Sequence, residues 1–245
     1  FLLIKSTVSM LWRLSDLCNA ENNKMTISDE LLEQARDILY TPVISDTLDS
    51  MGLLSQALPP TVRPLDENLV LCGRARTGLY MPLYHDNAEL DVYEHEIALV
   101  DDLKPGDVAV FSCAGNSRIA PWGELLSTAA HARGALGCVT DGLVRDVRMI
   151  REMSFPVFAG GIGPLDTKGR AKMMMADVPA EIGGAKIAPG DIVFGDVDGV
   201  VAIPAATAEE VLKTAMEKVA GENSVRDELA AGATLKSVFD KYGIL

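Results

Sequence analysis

From Thr41 onward the chain alternates short, nearly continuous apolar runs with stretches whose apolar residues recur at three- and four-residue spacing. The helical pattern predicts helices over Glu30–Leu39, with Ser28 or Thr26 as cap, and over Ser45–Met51, Leu90–Leu99, 123–132 and Ala208–Val219. The apolar runs predict strands over 69–75, 107–112, Ala135–Thr140 and Val200–Ile203. The turn Pro105-Gly106 introduces 107–112, and Pro189-Gly190-Asp191 repeats the device before Ile192-Val193-Phe194. Strands this apolar, alternating with helices, are buried on both faces, which predicts an α/β layered fold.

Length changes the picture little: 245 residues, 48% hydrophobic but only 5% aromatic, suffice for one sizeable core. Residues 1–24 stand apart. Their apolar stretch Phe1–Leu14 is broken by Lys5, Ser6, Thr7, Ser9 and Arg13, so no membrane span is expected there, and Met25 resembles a natural start. The expected organisation is an N-terminal extension over 1–24 and a single domain over 25–245. A formal net charge of −13 and a pI near 4.6 repel polyanions, and no basic run offsets them, so a nucleic-acid partner is not expected. The four cysteines, Cys18, Cys72, Cys113 and Cys138, lack C-x-x-C spacing and read as buried reduced thiols of a cytoplasmic protein. Cys113 as a nucleophile lacks an identifiable base. His85, His95 and His131 form no H-x-x-x-H pair, which disfavours a histidine-rich zinc site. His131 closes a helix and opposes its dipole. His85 lies in a loop, where a surface position and a substrate contact remain open alternatives.

The chemistry concentrates in Pro121-Trp122-Gly123-Glu124-Leu125-Leu126 and Asp141-Gly142-Leu143-Val144-Arg145-Asp146. One helix and one strand separate Glu124 from Arg145, so the helix start and the strand exit can return to one place. A carboxylate beside a guanidinium stays ionised and suits a hard cation, and the guanidinium forks onto a carboxylate or enolate oxygen. The first-turn N–H groups of Leu125 and Leu126 offer an anion site. An Arg-Asp pair that merely pins a loop is the alternative for the dipeptide alone. The segment Gly160-Gly161-Ile162-Gly163-Pro164 fits no dinucleotide fingerprint, and the cations of Asp166-Thr167-Lys168-Gly169-Arg170 read as a solvated loop or as a selector of the distal part of a substrate.

From Thr41-Pro42-Val43 to about Pro204 the chain resembles the RraA-like family, which includes ribonuclease regulators and metal-dependent 4-hydroxy-4-methyl-2-oxoglutarate aldolases. The landmarks are Leu71-Cys72-Gly73-Arg74, Lys104-Pro105-Gly106-Asp107, Trp122-Gly123-Glu124-Leu125-Leu126, Arg133-Gly134-Ala135, Asp141 to Asp146, Pro156-Val157-Phe158, Pro189-Gly190-Asp191 and Asp196-Val197-Asp198-Gly199 in order. The resemblance implies a β/β/α swivelling-type domain assembled as a homotrimer or hexamer. It implies Mg²⁺ or Mn²⁺ on Asp146, a pyruvate contact from Arg145, carboxylate binding by the amides of Leu125 and Leu126 beside Gly123, and an acid at Glu124 that organises metal-bound water. It places on Glu222 an acid contributed by the neighbouring subunit. Two positions depart from the aldolase pattern: Glu124 where Asp is usual, and Met149 where many members carry a second acid. The implied function is a metal-dependent lyase acting on 2-oxo acids through a pyruvate enolate, by retro-aldol cleavage or oxaloacetate decarboxylation. The competing class is a non-catalytic regulatory binding protein.

Overall fold

The computed structural model describes residues 27–84 and 91–243. The expectations for residues 1–24, Thr26, Cys18 and His85 fall outside these residues. The elements are α1 (Asp29–Ile38), α2 (Thr41–Ser50), β1 (Arg63–Pro64), β2 (Leu71–Pro82), α3 (Glu94–Asp101), β3 (Asp107–Ser112), α4 (Glu124–Ala132), β4 (Gly137–Val144), α5 (Val147–Glu152), β5 (Val157–Ile162), β6 (Ala171–Ala176), β7 (Ala180–Ile182), β8 (Ala185–Ile187), β9 (Ile192–Asp196), β10 (Gly199–Ile203), α6 (Ala208–Ala230) and α7 (Leu235–Tyr242).

An eight-stranded sheet runs β1-β5-β4-β3-β2-β9-β10, with β6 also paired to β2. Its centre, β2 to β5, is parallel, and α3, α4 and α5 are the three crossovers. One face of the central strands presents Ala109, Phe111 and Cys138 to a core shared with Leu99, Val100, Trp122, Ala130 and Ile150. The opposite face presents Val108, Val110, Val139 and Phe158, which pack with Ile182, Ala185 and Ile187 of the β7–β8 hairpin. Alternation along each strand therefore feeds two apolar layers, helices on one side and a small second sheet on the other. A third cluster joins α1, α2 and α6 to β9 and β10 through Leu32, Ile44, Leu48, Phe194, Ile203 and Leu212. The α/β class and the β/β/α layering agree with expectation.

Several landmarks turn out to be staples of this frame. The buried Asp107 carboxylate accepts the Lys104 N–H at 2.8 Å, while Asp191 accepts Ala188 N–H at 2.7 Å and Ala205 N–H at 2.8 Å. Gly106 and Gly190 adopt φ of 86° and 87°, which a side chain resists, so the Pro-Gly-Asp turn is used twice for the same reason. Asp196 accepts the N–H and hydroxyl of Thr41 at 2.8 and 2.6 Å and ties α2 to β9.

Several element boundaries differ from the sequence reading, among them the start of α2, at Thr41 rather than Ser45. Strand β2 continues seven residues past Ala75, because its far half pairs with both β3 and β6. Strand β4 runs on to Val144, through residues expected to turn. The glycines Gly160 and Gly161 lie inside β5; a Cβ at Gly160 would collide with the Asp141 carbonyl of β4. Helix α6 extends to Ala230, with Val225 buried beyond the expected end at Val219.

Candidate active site

All the parallel strands end at one edge, and there the crossover helices begin. Trp122 fixes the geometry. It is fully buried, forms a bridge with Val144, and its carbonyl accepts the Arg145 N–H at 3.1 Å. Its indole N–H donates to Ser127 Oγ at 2.7 Å, and its ring stacks on Phe155 at 6.4 Å and meets Phe111 edge-on at 5.4 Å. The residues before α4 are thereby held against the exit of β4. Asp141 holds the loop preceding them, since its carboxylate accepts the N–H groups of Cys113 at 2.5 Å and Gly115 at 2.7 Å.

Gly123 is the N-cap of α4, and a Cβ there would stand 2.8 Å from Asp146 Oδ2 and 3.1 Å from Arg145 Cγ. The missing side chain is what lets the two segments meet. Asp146 adopts the left-handed conformation, φ 58° and ψ 29°, which Asp tolerates better than most residues. An Asp at a helix N-cap ordinarily bonds its own first turn. Here the side chain makes no such bond to α5, and its Oδ2 instead accepts the Glu124 N–H at 3.3 Å. The Arg145 guanidinium lies between two acids, Nε 3.7 Å from Asp146 and Nη1 3.7 Å from Asp166. Both distances exceed hydrogen-bond length, so its donors are not consumed. The N–H groups of Leu125 and Leu126 fall in the first turn of α4, where no preceding turn supplies acceptors. Glu124 folds along its own helix, Oε1 accepting the Thr128 hydroxyl at 2.8 Å.

Among the described residues no group of three or more His, Cys, Asp or Glu side chains surrounds a common point. That excludes a fully protein-ligated cage there. The Asp146 carboxylate is the kind of oxygen donor that a hard cation of the Mg²⁺ type takes, with water and substrate oxygens in its other positions.

Comparison with known proteins decides the family. The RraA-like profile, described as Aldolase/RraA, matches residues 41–202. The chain belongs to the RraA-like family. A putative 4-hydroxy-4-methyl-2-oxoglutarate aldolase of Halalkalibacterium halodurans is 33% identical over 184 residues, covering 75% of this chain and 81% of that protein. Protein DlpA of Legionella pneumophila is 31% identical over 199 residues, 81% of this chain; the chain spans only 32% of DlpA's length. The crystal structure of an uncharacterized protein from Pseudomonas syringae superposes with a TM-score of 0.80 at 28% identity, covering 90% of this chain and 97% of that one.

In this RraA-like chain the structure brings together Gly123, Glu124, Arg145 and Asp146, with Leu125 and Leu126 in the same helical turn. It does not bring Glu222 to them. Glu222 lies on α6, where its carboxylate accepts the Tyr40 hydroxyl and bonds Arg226 at 2.6 Å. The loop 166–170 contributes an acid where its cations had drawn attention. Asp166 faces Arg145, whereas Arg170 bonds the loop's own carbonyls at Asp166 and Lys168, at 3.3 and 3.4 Å.

Sequence reasoning missed three further residues. Tyr93, the N-cap of α3, donates its hydroxyl to Asp166 Oδ2 at 2.7 Å. Burial pushes the Tyr93 hydroxyl up to about 12, reinforced by that bond. Burial also raises the Asp166 carboxyl, but the bonds from Tyr93 and the Thr167 N–H, with the Arg145 charge, outweigh it and hold the group below its usual value. Glu96, 6% exposed, accepts the Tyr80 hydroxyl at 2.5 Å. Burial pushes its carboxyl up to about 7; the Asp166 charge adds to this, while the Tyr80 bond and Arg145 oppose it. The available signal was the position of Tyr93 and Glu96 at the start of a crossover helix, the same place in the unit that Gly123 and Asp146 occupy.

Cys72, Cys113 and Cys138 are buried free thiols. Burial drives the Cys113 thiol well above its ordinary value, with the Asp141 charge adding, which removes it as a nucleophile. His131 sits in the last turn of α4, as expected. No helix among the described residues is long and apolar enough to cross a membrane.

Proposed function

We propose that this RraA-like protein is a divalent-metal-dependent lyase that acts on 2-oxo acids through a pyruvate enolate. The observation that carries the reading is the close approach that the side-chain-free Gly123 allows to Asp146 and Arg145, which puts an oxygen donor, a guanidinium and the first-turn amides of α4 together at the carboxyl edge of a parallel sheet. Asp146 would hold Mg²⁺ or Mn²⁺. A bound cation supplies Lewis-acid polarisation of the ketone and carboxylate oxygens of the substrate.

The chain's own residues do the rest. The Leu125 and Leu126 amides and the Arg145 fork bind the 2-oxo carboxylate and gain strength as charge moves onto the enolate oxygen. In retro-aldol cleavage a base removes the C4 hydroxyl proton, the C3–C4 bond breaks, and its electron pair becomes the enolate, which C3 protonation converts to pyruvate. Glu124, its Oε1 fixed by Thr128, orients the water that carries this proton. Decarboxylation of oxaloacetate needs the same enolate stabilisation without that base. The Glu124–Thr128 bond spans one helical turn.

The assembly is proposed as a homotrimer or hexamer in which Glu222 serves the neighbouring subunit's site. Exposed apolar side chains support a subunit contact near the site: Leu125 at 77%, Ile162 at 63% and Met149 at 45%. Three buried free thiols support a cytoplasmic setting. A regulatory binding protein has no need of an Arg-Asp pair gathered at the N-terminus of a crossover helix, which favours the enzyme. The test is pyruvate release from oxaloacetate and from 4-hydroxy-4-methyl-2-oxoglutarate, with Mg²⁺, Mn²⁺ or chelator. Metal-dependent turnover that Asp146→Ala abolishes is the expected result; no turnover and no metal binding by calorimetry would leave the regulatory reading.

A further inference from the structure

The Arg145 guanidinium faces two acids of the site, and its direction decides whether its fork meets the substrate carboxylate. Its own strand fixes only the backbone. The side chain is 38% exposed, enough to swing, and Asp146 draws it at one end, through Nε, at 3.7 Å. At the other end stands Asp166, 3.7 Å from Nη1.

Asp166 is itself immobilised. Its Oδ2 accepts the Tyr93 hydroxyl at 2.7 Å, and its Oδ1 accepts the Thr167 N–H at 2.7 Å. Thr167 is 2% exposed, and its carbonyl accepts the N–H groups of Arg170 and Ala171 at 2.9 and 2.8 Å, which roots the loop in the start of β6. Tyr93 roots the other side in α3. The acid thus presents a fixed charge, supported from two elements, to a guanidinium supported from a third.

An ion pair this open and this long contributes little to stability. The Tyr93 and Thr167 bonds fix the Asp166 carboxylate, and the charge they fix faces Arg145. We propose that Asp166, supported by Tyr93, is a positioning residue that sets the orientation of the Arg145 fork. The inference rests on the lyase reading for its consequence and on the Tyr93–Asp166–Arg145 geometry for its content. Because neither acid comes within hydrogen-bond distance of the guanidinium, Arg145 keeps its donors for the ligand while its swing is restricted. A misplacement of about 1 Å costs on the order of a hundredfold in rate at such a site.

The experiment joins two readouts on Asp166→Asn, Asp166→Glu and Tyr93→Phe. The first is the ¹⁵N–¹H signal of Arg145 Nε, assigned by its absence in Arg145→Lys, whose solvent exchange and linewidth report side-chain confinement without turnover. Asp166→Asn is expected to shift it toward the exchange-broadened signals of solvated arginines, Tyr93→Phe to do so partly, and Asp166→Glu to retain most of the wild-type signal. The second is kinetics on whichever 2-oxo acid the wild type turns over. There kcat is expected to fall at least 10-fold in Asp166→Asn with KM within about threefold, and to recover in part in Asp166→Glu. An unchanged Arg145 signal in Asp166→Asn overturns the proposal, whatever the kinetics. A fall in KM with kcat unchanged overturns it as well, since that marks Asp166 as a mere repulsive charge. If the wild type is inactive on every 2-oxo acid, the lyase reading fails, and a displaced Arg145 signal still upholds the positioning role.

Discussion

Replacing Glu96 by Gln tests the electrostatics of the site's floor without reference to any activity. The carboxyl is pushed from an ordinary value of 4.5 up to about 7, so the folded protein holds this proton more tightly than the unfolded chain. Between those values the native state binds more protons, and stability falls as pH rises. The penalty is absent below about pH 4.5 and complete above about pH 7. At about 1.4 kcal/mol per pH unit the full penalty is about 3 kcal/mol, and interior relaxation reduces it toward 1–2 kcal/mol. Gln cannot ionise, and its carbonyl still accepts the Tyr80 hydroxyl, so the variant keeps the hydrogen bond and loses the penalty. Urea denaturation at fixed protomer concentration, from pH 5.5 to 8.5, avoids the poorly soluble region near the pI of 4.6. The variant is expected to gain 1–3 kcal/mol over wild type at pH 8, shrinking steadily toward pH 5.5. Parallel stability curves, or a variant less stable than wild type at pH 8, would refute the assignment of a strained buried carboxylate at Glu96.

Two further outcomes bear on the site. Gly123→Ala places a methyl 2.8 Å from Asp146 Oδ2, and Mg²⁺ affinity and turnover are expected to fall on the order of a hundredfold, with thermal stability nearly unchanged; calorimetric titration and a melting curve check both halves. Thr128→Val removes the hydroxyl that holds Glu124 Oε1, so retro-aldol cleavage is expected to fall about 10-fold while oxaloacetate decarboxylation stays within about twofold.

Much of this molecule is legible in its sequence because short-range rules govern it. The Pro105-Gly106 turn and the apolar run behind it place β3 at 107–112, and Gly123 before Glu124 places the start of α4. The juxtaposition of Gly123-Glu124 with Arg145-Asp146 follows from counting one helix and one strand. Long-range information governs the rest. Asp141-Gly142 has turn chemistry, yet it stays in β4 because its carboxylate binds the Cys113 and Gly115 N–H groups and Gly160 makes room opposite. The apolar pattern of α6 ends at Val219, yet the helix continues to Ala230, with Glu222 and Arg226 bonding Tyr40. Tyr93, Glu96 and Asp166 lie 21 to 52 residues from Arg145, and only the convergence of the crossovers makes them neighbours.

The third apolar cluster has a consequence for biosynthesis. Leu32 and Ile44 find their partners in Phe194, Ile203 and Leu212, more than 140 residues downstream. The first two helices therefore leave the ribosome with their apolar faces unpaired, and they wait until most of the chain has been translated. The parallel centre, β2 to β5, can assemble earlier, from strands made in immediate succession. A folding order follows in which the parallel edge takes shape first and α1 and α2 dock last, closing over β9, β10 and α6. Any chaperone that attends this chain during synthesis has its substrate in that interval: two amphipathic helices whose binding surface does not yet exist.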